Sequence, residues 1–297
     1  MWVKLYHLWE SLRRGPGRWR QLFRTRRARR GAVLLAGAGV LAALFVRAAA
    51  APVGCANEDL APAALMAAAA AQSRGGQAAE SGAAGAQEKS PEKVVYLTFD
   101  DGPSATTDTV LDVLKEEGVP ATFFVVSAEN NAKYLPTLAR TVAEGHLVGL
   151  HSASHRYSKI YSSTDAFWQD IGELQAAIAP YVPEPCTCLR FPGGSSNTVS
   201  RKYGGSGIMK ELKAQAEEKG YRVVDWNVCA EDAVGGHPTV QEIYDNVVRE
   251  VDDRASCVVL MHDTAATKNT AKALPDIIRW FKNAGYRFDT VDHLPVA

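Results

Sequence analysis

The 297-residue sequence has no net charge, no His-Glu-x-x-His motif, no internal repeat and no cysteine pair with zinc-knuckle spacing. Without His-Glu-x-x-His there is no support for a zinc peptidase. Without a period of 20–50 residues a repeat protein is excluded. Cys186 and Cys188 are separated by one residue rather than two, and no second pair complements them. The five cysteines therefore indicate structural or free thiols rather than a zinc site, and in an exported chain they could form disulfides.

The zero net charge is an average over two unlike parts of the chain. Residues 1–50 contain 11 of the 33 lysines and arginines and a single acidic residue, Glu10. The remainder has 22 basic and 32 acidic residues, a net charge of −10. Because phosphate binding requires a basic surface, this argues against nucleic acid as a partner of the folded part.

The N-terminal region predicts a membrane segment. Residues 1–30 form a basic arm, and an uncharged apolar run from Gly31 to Val46 follows it. Extended through Arg47 and the alanines to residue 51, this run reaches roughly the 20 residues that span a bilayer. The positive-inside rule then puts the arm in the cytoplasm and the rest of the chain outside. Two alternatives remain open, namely signal cleavage at Ala49–Ala51, which gives a secreted protein, and lipidation at Cys55.

Residues 52–91 are dominated by Ala, Gly, Gln, Ser and Glu and predict a flexible linker, since they have little to bury. From residue 92 to 297 short β-rich runs alternate with amphipathic helical patterns, which predicts one α/β domain with about seven parallel strands, closed or open. The predicted strands are Val94–Thr98, Thr122–Val126, Leu147–Leu150, Cys188–Phe191, Arg222–Asp225, Cys257–Met261 and Tyr286–Asp289. The predicted helices are Thr107–Glu117, Lys133–Glu144, Thr164–Ala179, Lys210–Lys219, Val240–Arg254 and Ala271–Ala284.

Chemically reactive residues follow the predicted strands directly. Since the carboxyl ends of parallel strands lie on one face, where such folds carry their sites, these residues are expected to converge. A carboxylate together with two imidazoles four residues apart can chelate one ion. The residues that follow the predicted strands and are expected to converge are Asp100, Asp101, His151, His155, Arg190, Gly193, Trp226 and His262.

The order of these motifs resembles that of the polysaccharide deacetylases of the NodB-homology type, carbohydrate esterase family 4, over about residues 92–290. The resemblance implies a distorted (β/α) barrel. Thr98-Phe99-Asp100-Asp101-Gly102 is similar to the first motif, which implies that Asp100 is the catalytic base and Asp101 a metal ligand. His151-Ser-Ala-Ser-His155 is similar to the second, which implies that both histidines are metal ligands.

The remaining motifs carry further implied roles. Arg190-Phe-Pro-Gly-Gly194 resembles the third motif, whose Arg positions the base. Leu260-Met-His262 resembles the last, which implies that Leu260 lines the acetyl pocket and His262 is the general acid.

This sequence departs from the family pattern at two motifs. The third commonly reads Arg-Pro-Pro-Tyr-Gly, so Gly193 replaces the tyrosine and its aromatic wall is lost, although the Gly193 N–H can still donate to an oxyanion. The fourth is commonly an Asp-Trp pair that tunes the acid histidine. Asp225-Trp226 fits it by residue type and Asp232 by its offset from the strand, and we favour Asp232.

Together these residues predict metal-dependent hydrolysis of N-acetyl groups that releases acetate and a free amino sugar. An Asp-His-His set suits zinc, with cobalt or manganese as alternatives. An anchored domain outside the cytoplasm favours the cell's own wall glycan, peptidoglycan above all, and we expect a monomer. The alternatives are a deacetylase of chitin or acetylated xylan and a non-catalytic wall-binding module.

Overall fold

The computed structural model describes residues 92–295. The predicted cytoplasmic arm, the membrane segment and the linker all fall in residues 1–91 and thus lie outside the described residues. Within the described part, no helix combines the length and the apolar character that crossing a bilayer requires.

Eight strands form one parallel sheet. They are β1 (Val94–Asp100), β2 (Thr122–Val126), β3 (Leu147–Ser152), β4 (Cys188–Leu189), β5 (Arg222–Val223), β6 (Val228–Cys229), β7 (Ser256–His262) and β8 (Arg287–Phe288). All seven predicted strands are present. The two-residue strand β6 was not predicted, because so short a run carries no alternation that a sequence pattern can detect.

Nine α-helices connect the strands among residues 92–295. They are α1 (Thr107–Glu117), α2 (Glu129–Ala132), α3 (Thr137–Ala143), α4 (Tyr157–Ile160), α5 (Thr164–Ile178), α6 (Arg201–Gly204), α7 (Ile208–Glu218), α8 (Val240–Val251) and α9 (Lys268–Asn283), followed by a 3₁₀ turn at Val291–His293.

All six predicted helices are present, and their ends differ from the prediction by at most four residues. The largest difference is the predicted start at Lys133, which was wrong because α3 begins after Pro136, the residue at its N-cap position. Proline lacks an N–H and its ring clashes with the preceding turn, so it is favoured at the beginning of a helix, where no intrahelical hydrogen bond is lost. The end of α1 follows the expected rule, because Gly118 terminates it with φ +64°.

The strand order is β5-β4-β3-β2-β1-β7-β6, and β8 pairs with the first two residues of β1. Among the described residues no ladder joins β5 to β6, so the sheet is a curled half-barrel rather than a closed barrel. Only residues 224–227 separate these two strands. The carbonyls of Val224 and Asp225 accept hydrogen bonds from the Arg190 guanidinium, at 3.0 and 3.1 Å. A side chain therefore bonds to backbone at the point where the sheet stays open.

Both faces of the central strand β1 are buried. Val95, Leu97 and Phe99 belong to the larger apolar core, which the helices cover. Val94 and Tyr96 belong to a second, smaller core with Val258 of β7. Because side chains alternate along a strand, Asp100 lies on the same face as Tyr96, inside the curled sheet.

Candidate active site

The strand register brings the predicted residues to one edge of the sheet. Asp100 is the last residue of β1 and lies opposite His262, the last residue of β7. Leu150 of β3 pairs with Leu189 of β4, so His151 and Arg190, the next residue in each chain segment, are neighbours as well. Parallel strands thus gather two carboxylates, two imidazoles and a guanidinium from distant parts of the sequence.

Asp101, His151 and His155 form a three-residue cluster whose potential ligand atoms all lie within 4.8 Å of one another. The Asp101 Oδ1 atom is 3.4 Å from His151 Nε2 and 3.2 Å from His155 Nε2. This oxygen is buried and has no hydrogen-bond partner among the described residues. A buried carboxylate oxygen beside two imidazole nitrogens fits a divalent ion, which would satisfy all three atoms.

The protonation of His151 also fits a metal ligand. Its Nδ1 lies 2.7 Å from the Arg190 carbonyl oxygen, which can only accept, so Nδ1 carries the proton and Nε2 offers a lone pair. Burial lowers the pKa of His151 to about 3, although the Asp101 charge opposes the effect. The imidazole is therefore neutral at neutral pH, the form that binds a metal ion.

The backbone at two members of this cluster is unusual. Asp101 has φ +70° and His155 has φ +48°, a region that residues other than glycine rarely adopt. Such conformations persist where the surroundings enforce them, and they are frequent at functional sites.

Asp170, which sequence reasoning missed, holds the loop between the two histidines. Its buried carboxylate in α5 accepts hydrogen bonds from the Ser152 hydroxyl at 2.6 Å, the Ala153 N–H at 2.7 Å and the Ser154 hydroxyl at 2.6 Å. The Ser152 hydroxyl in turn accepts from the His155 N–H at 2.8 Å. One carboxylate therefore fixes the loop that carries both imidazoles. Its only sequence signal was an acidic residue on the buried face of an amphipathic helix.

Asp100 is held by a completely buried arginine. The Arg190 Nη1 atom donates to Asp100 Oδ1 at 2.8 Å and to the Thr98 hydroxyl at 2.7 Å. The other oxygen, Oδ2, lies 3.9 Å from His151 Nε2 and so faces the metal cluster. Burial raises the pKa of the Asp100 carboxyl above its usual value, and the positive charge of Arg190 limits the rise.

His262 is paired with Asp232. The His262 Nδ1 is 2.9 Å from Asp232 Oδ1, and the His262 backbone N–H and the Thr270 hydroxyl both donate to Asp232 Oδ2 at 2.7 Å. Burial alone would lower the pKa of His262, but the charge and hydrogen bond of Asp232, with smaller contributions from the Asp101 and Asp100 charges, together raise it to about 9. The imidazole is therefore protonated at neutral pH and can donate a proton.

The structure gives Asp225 a different partner. Its carboxylate accepts from the Ser195 N–H at 2.9 Å and from the Ser195 hydroxyl at 2.5 Å. Trp226 packs against the third-motif turn, where a Cβ on Gly194 would lie 3.1 Å from its ring. Asp232 rather than Asp225 is thus the carboxylate that contacts His262, while Asp225 orders the turn after Arg190.

Gly193 and Leu260 complete the predicted set. Gly193 has φ +79°, which glycine adopts without strain. Leu260 precedes His262 by two residues in β7, so strand alternation puts both side chains on the inner face.

Gly102 and Asp263 form a further contact that the sequence did not reveal. A Cβ on Gly102 would collide with the Asp263 carboxylate, whose Oδ2 accepts from the Thr107 hydroxyl at 2.5 Å. The turn after Asp101 therefore requires a glycine.

Comparison with known proteins agrees with this geometry. Residues 87–212 match the family model for polysaccharide deacetylase. A peptidoglycan-N-acetylglucosamine deacetylase of Bacillus cereus is 33% identical over 211 residues, 69% of this chain and 72% of that protein. The catalytic domain of a peptidoglycan N-acetylglucosamine deacetylase from Eubacterium rectale superposes with a TM-score of 0.64 at 38% identity, covering 68% of this chain and 90% of that one. The peptidoglycan-N-acetylmuramic acid deacetylase PdaC of Bacillus subtilis is 35% identical over 207 residues, 68% of this chain and 39% of that protein.

The chain therefore belongs to the polysaccharide deacetylases of carbohydrate esterase family 4, a family of metal-dependent hydrolases. The resemblance noted in the sequence is confirmed, and so is the prediction of a metal-dependent enzyme.

Proposed function

We propose that the protein removes N-acetyl groups from the amino sugars of peptidoglycan. The observation that carries this proposal is the gathering of a proton acceptor, Asp100, and a proton donor, His262, around the Asp101-His151-His155 cluster. Amide hydrolysis needs both groups, because water must lose a proton and the departing amine must gain one.

The residues of the chain divide the work between them. Asp100, with one oxygen held by Arg190, accepts the proton of the attacking water through its other oxygen. His262, kept protonated by Asp232, donates a proton to the amine nitrogen as the carbon–nitrogen bond breaks. The Gly193 N–H is offered as a hydrogen-bond donor to the carbonyl oxygen.

Asp101, His151 and His155 would hold the divalent ion. Such an ion supplies Lewis-acid polarisation of the carbonyl and lowers the pKa of water towards about 7. We propose zinc, which two imidazoles and a carboxylate suit; cobalt and manganese accept the same ligands.

Two sets of observations support peptidoglycan as the substrate. The B. cereus and E. rectale relatives are both named as peptidoglycan N-acetylglucosamine deacetylases. In addition, the basic arm and apolar run of residues 1–46 favour a membrane-anchored protein with its catalytic domain outside the cytoplasm, beside the cell's own wall. Other acetylated glycans are the alternative, since a solved relative is the CE4 domain of a multidomain xylanase.

Mass spectrometry of peptidoglycan digests tests the activity. The full chain in detergent with added Zn²⁺ should convert N-acetylated muropeptides to products lighter by one acetyl group and release acetate. A matched control is His155→Ala, which removes one proposed ligand and should lose metal and activity together. Release of acetate from acetylated xylan but not from peptidoglycan would instead support the xylan alternative.

Cell fractionation tests the location separately. We expect the protein in the membrane fraction, with its C-terminus open to external protease. A soluble form that begins near Ala51 would contradict the anchor and leave the proposed activity intact.

A further inference from the structure

Tyr157 extends an aromatic wall from the candidate metal cluster. It is the first residue of α4 and follows His155 by two positions. Its ring meets the His155 imidazole edge to face, with the centroids 5.8 Å apart. On its other side it meets the ring of Tyr161 at 5.6 Å in a similar arrangement. The ring is therefore fixed in place between a candidate ligand and the core.

The other end of Tyr157 reaches the third-motif turn. A Cβ built on Gly193 would lie 2.7 Å from the Tyr157 hydroxyl oxygen and 3.4 Å from its ring. Because residue 193 has no side chain, the phenol occupies the space beside the backbone group that is offered to the substrate carbonyl. Tyr157, which follows the second motif, thus provides an aromatic wall in place of the tyrosine that Gly193 replaces in the third motif.

The hydroxyl groups of the two neighbouring tyrosines differ. Tyr161 is completely buried and donates to the Pro192 carbonyl oxygen at 2.7 Å. The Tyr157 side chain is half-buried, and its hydroxyl has no hydrogen-bond partner among residues 92–295. A phenylalanine would pack equally well at position 157 if its only purpose were to support the fold. The hydroxyl is therefore available to a group from outside the protein, water in the free protein or a bound ligand.

We propose that Tyr157 is a substrate-binding residue that contacts the amino sugar carrying the scissile acetamide. This inference rests on the proposed function and names a residue of the same site. The ring forms one side of the sugar subsite, and the hydroxyl hydrogen-bonds to the pyranose. Tyrosine suits this task because its rigid ring offers an apolar body and a polar tip at little entropic cost.

Two substrates separate a sugar contact from a general defect. An N-acetylglucosamine tetramer presents the sugar, whereas an aryl acetate presents only the acetyl group. In the full chain loaded with Zn²⁺, Tyr157→Phe should lower kcat/KM for the tetramer about 3- to 10-fold, the usual effect of one neutral hydrogen bond, mainly through KM. It should change kcat/KM for the aryl acetate less than about twofold.

Further variants supply the controls. Tyr157→Ala also removes the ring and should lower tetramer turnover more than Tyr157→Phe does. Tyr161→Phe removes a hydroxyl that bonds only to the protein, so any loss should be equal on both substrates. Metal content, measured by mass spectrometry, should stay unchanged in Tyr157→Phe.

Calorimetric binding of the tetramer to the metal-free protein provides a readout without turnover. Tyr157→Phe should weaken this binding about 3- to 10-fold. Unchanged binding, or equal losses on tetramer and aryl acetate, would overturn the inference. Assays of the wild-type protein test the proposed function separately. If the wild type hydrolyses the aryl acetate but deacetylates neither the tetramer nor peptidoglycan, the proposed function is wrong. Binding of the tetramer would still test the role of Tyr157.

Discussion

Two buried ion pairs flank the candidate metal cluster, and they are arranged in opposite ways. In the Arg190–Asp100 pair, at 2.8 Å, the carboxylate faces the cluster and the guanidinium lies behind it, bonded to Thr98 and to backbone carbonyls. In the His262–Asp232 pair, at 2.9 Å, the imidazole is the exposed partner and the carboxylate lies behind it.

The electrostatic balance of the two pairs differs accordingly. For Asp100, burial dominates and raises the pKa even though a guanidinium lies against it. For His262, burial is again the largest single effect and lowers the pKa, but the charge and hydrogen bond of Asp232, together with the charges of Asp101 and Asp100, raise it to about 9. Arg190 thus helps to keep Asp100 in the form that accepts a proton, and Asp232 keeps His262 in the form that donates one. The same two kinds of charge therefore suit Asp100 to the proposed role of proton acceptor and His262 to the proposed role of proton donor.

The largest expected effect comes from removing the member of either pair that faces the metal cluster, Asp100 or His262. Asp100→Asn and His262→Ala should each lower amide turnover by about 10²–10⁴-fold, the usual contribution of a positioned acid or base, with metal content retained. An aryl acetate, whose leaving group departs without a proton, should be spared in His262→Ala and not in Asp100→Asn. Metal analysis beside kinetics on both substrates checks this. If Asp100→Asn lost the metal and Asp101→Asn kept it, the assigned roles would be reversed.

Removing the partner behind His262 should act through pH. Without the charge and hydrogen bond of Asp232, the pKa of His262 should fall below its value of about 9. The protonated fraction at pH 8.5 should then drop by up to about tenfold for each unit by which the pKa falls. In Asp232→Asn the decrease of kcat at alkaline pH, the alkaline limb of the kcat–pH profile, should therefore begin at a lower pH. An alkaline limb that stays in place would show that another group sets it.

Stability should follow the same shift. A histidine with a raised pKa stabilises the fold fully below the unfolded value of about 6.5, and this contribution is lost as pH rises through about 9. The shift corresponds to a contribution on the order of 3 kcal/mol, because one pKa unit equals about 1.4 kcal/mol. Urea unfolding of the metal-free protein should show this loss in the wild type and a flatter dependence in Asp232→Asn.

A smaller effect is expected from the carboxylate that supports the metal cluster from outside the two pairs. Asp170→Ala leaves all three candidate ligands in place and frees the loop that carries His151 and His155. Zinc affinity should fall about 10- to 100-fold, as is usual when groups that orient ligands are removed. Competition with a chromophoric chelator measures it. Saturating Zn²⁺ should restore most of the activity, which a direct role of Asp170 in the chemistry would not allow.

The sequence predicted both members of each pair, but not the residues of the packed helices that support the site. Asp100, His262 and the histidines stand at strand ends within short motifs, where periodicity and local order suffice to locate them. Asp170 and Tyr157 act through contacts that only the packed helices create, and no local pattern distinguishes them from ordinary helical residues. In the gap between β5 and β6, the Val224 and Asp225 carbonyls accept hydrogen bonds from Arg190, a tertiary contact that a sequence pattern does not reveal.

The smallest effect is expected from Asp225, the carboxylate that competed with Asp232 in the sequence. Asn at position 225 still accepts from the Ser195 N–H and loses only the charged acceptor of the Ser195 hydroxyl, so stability should fall by about 1 kcal/mol. The alkaline limb should stay where the wild type has it, because the Asp225 carboxylate bonds to Ser195 and the Asp232 carboxylate to His262. Thermal unfolding and a kcat profile from pH 6 to 10 measure both quantities on the Asp225→Asn and Asp232→Asn proteins. An alkaline limb displaced equally in the two variants would mean that both carboxylates set the pKa of His262. The assignment of Asp232 to His262 and of Asp225 to the turn after Arg190 would then be wrong.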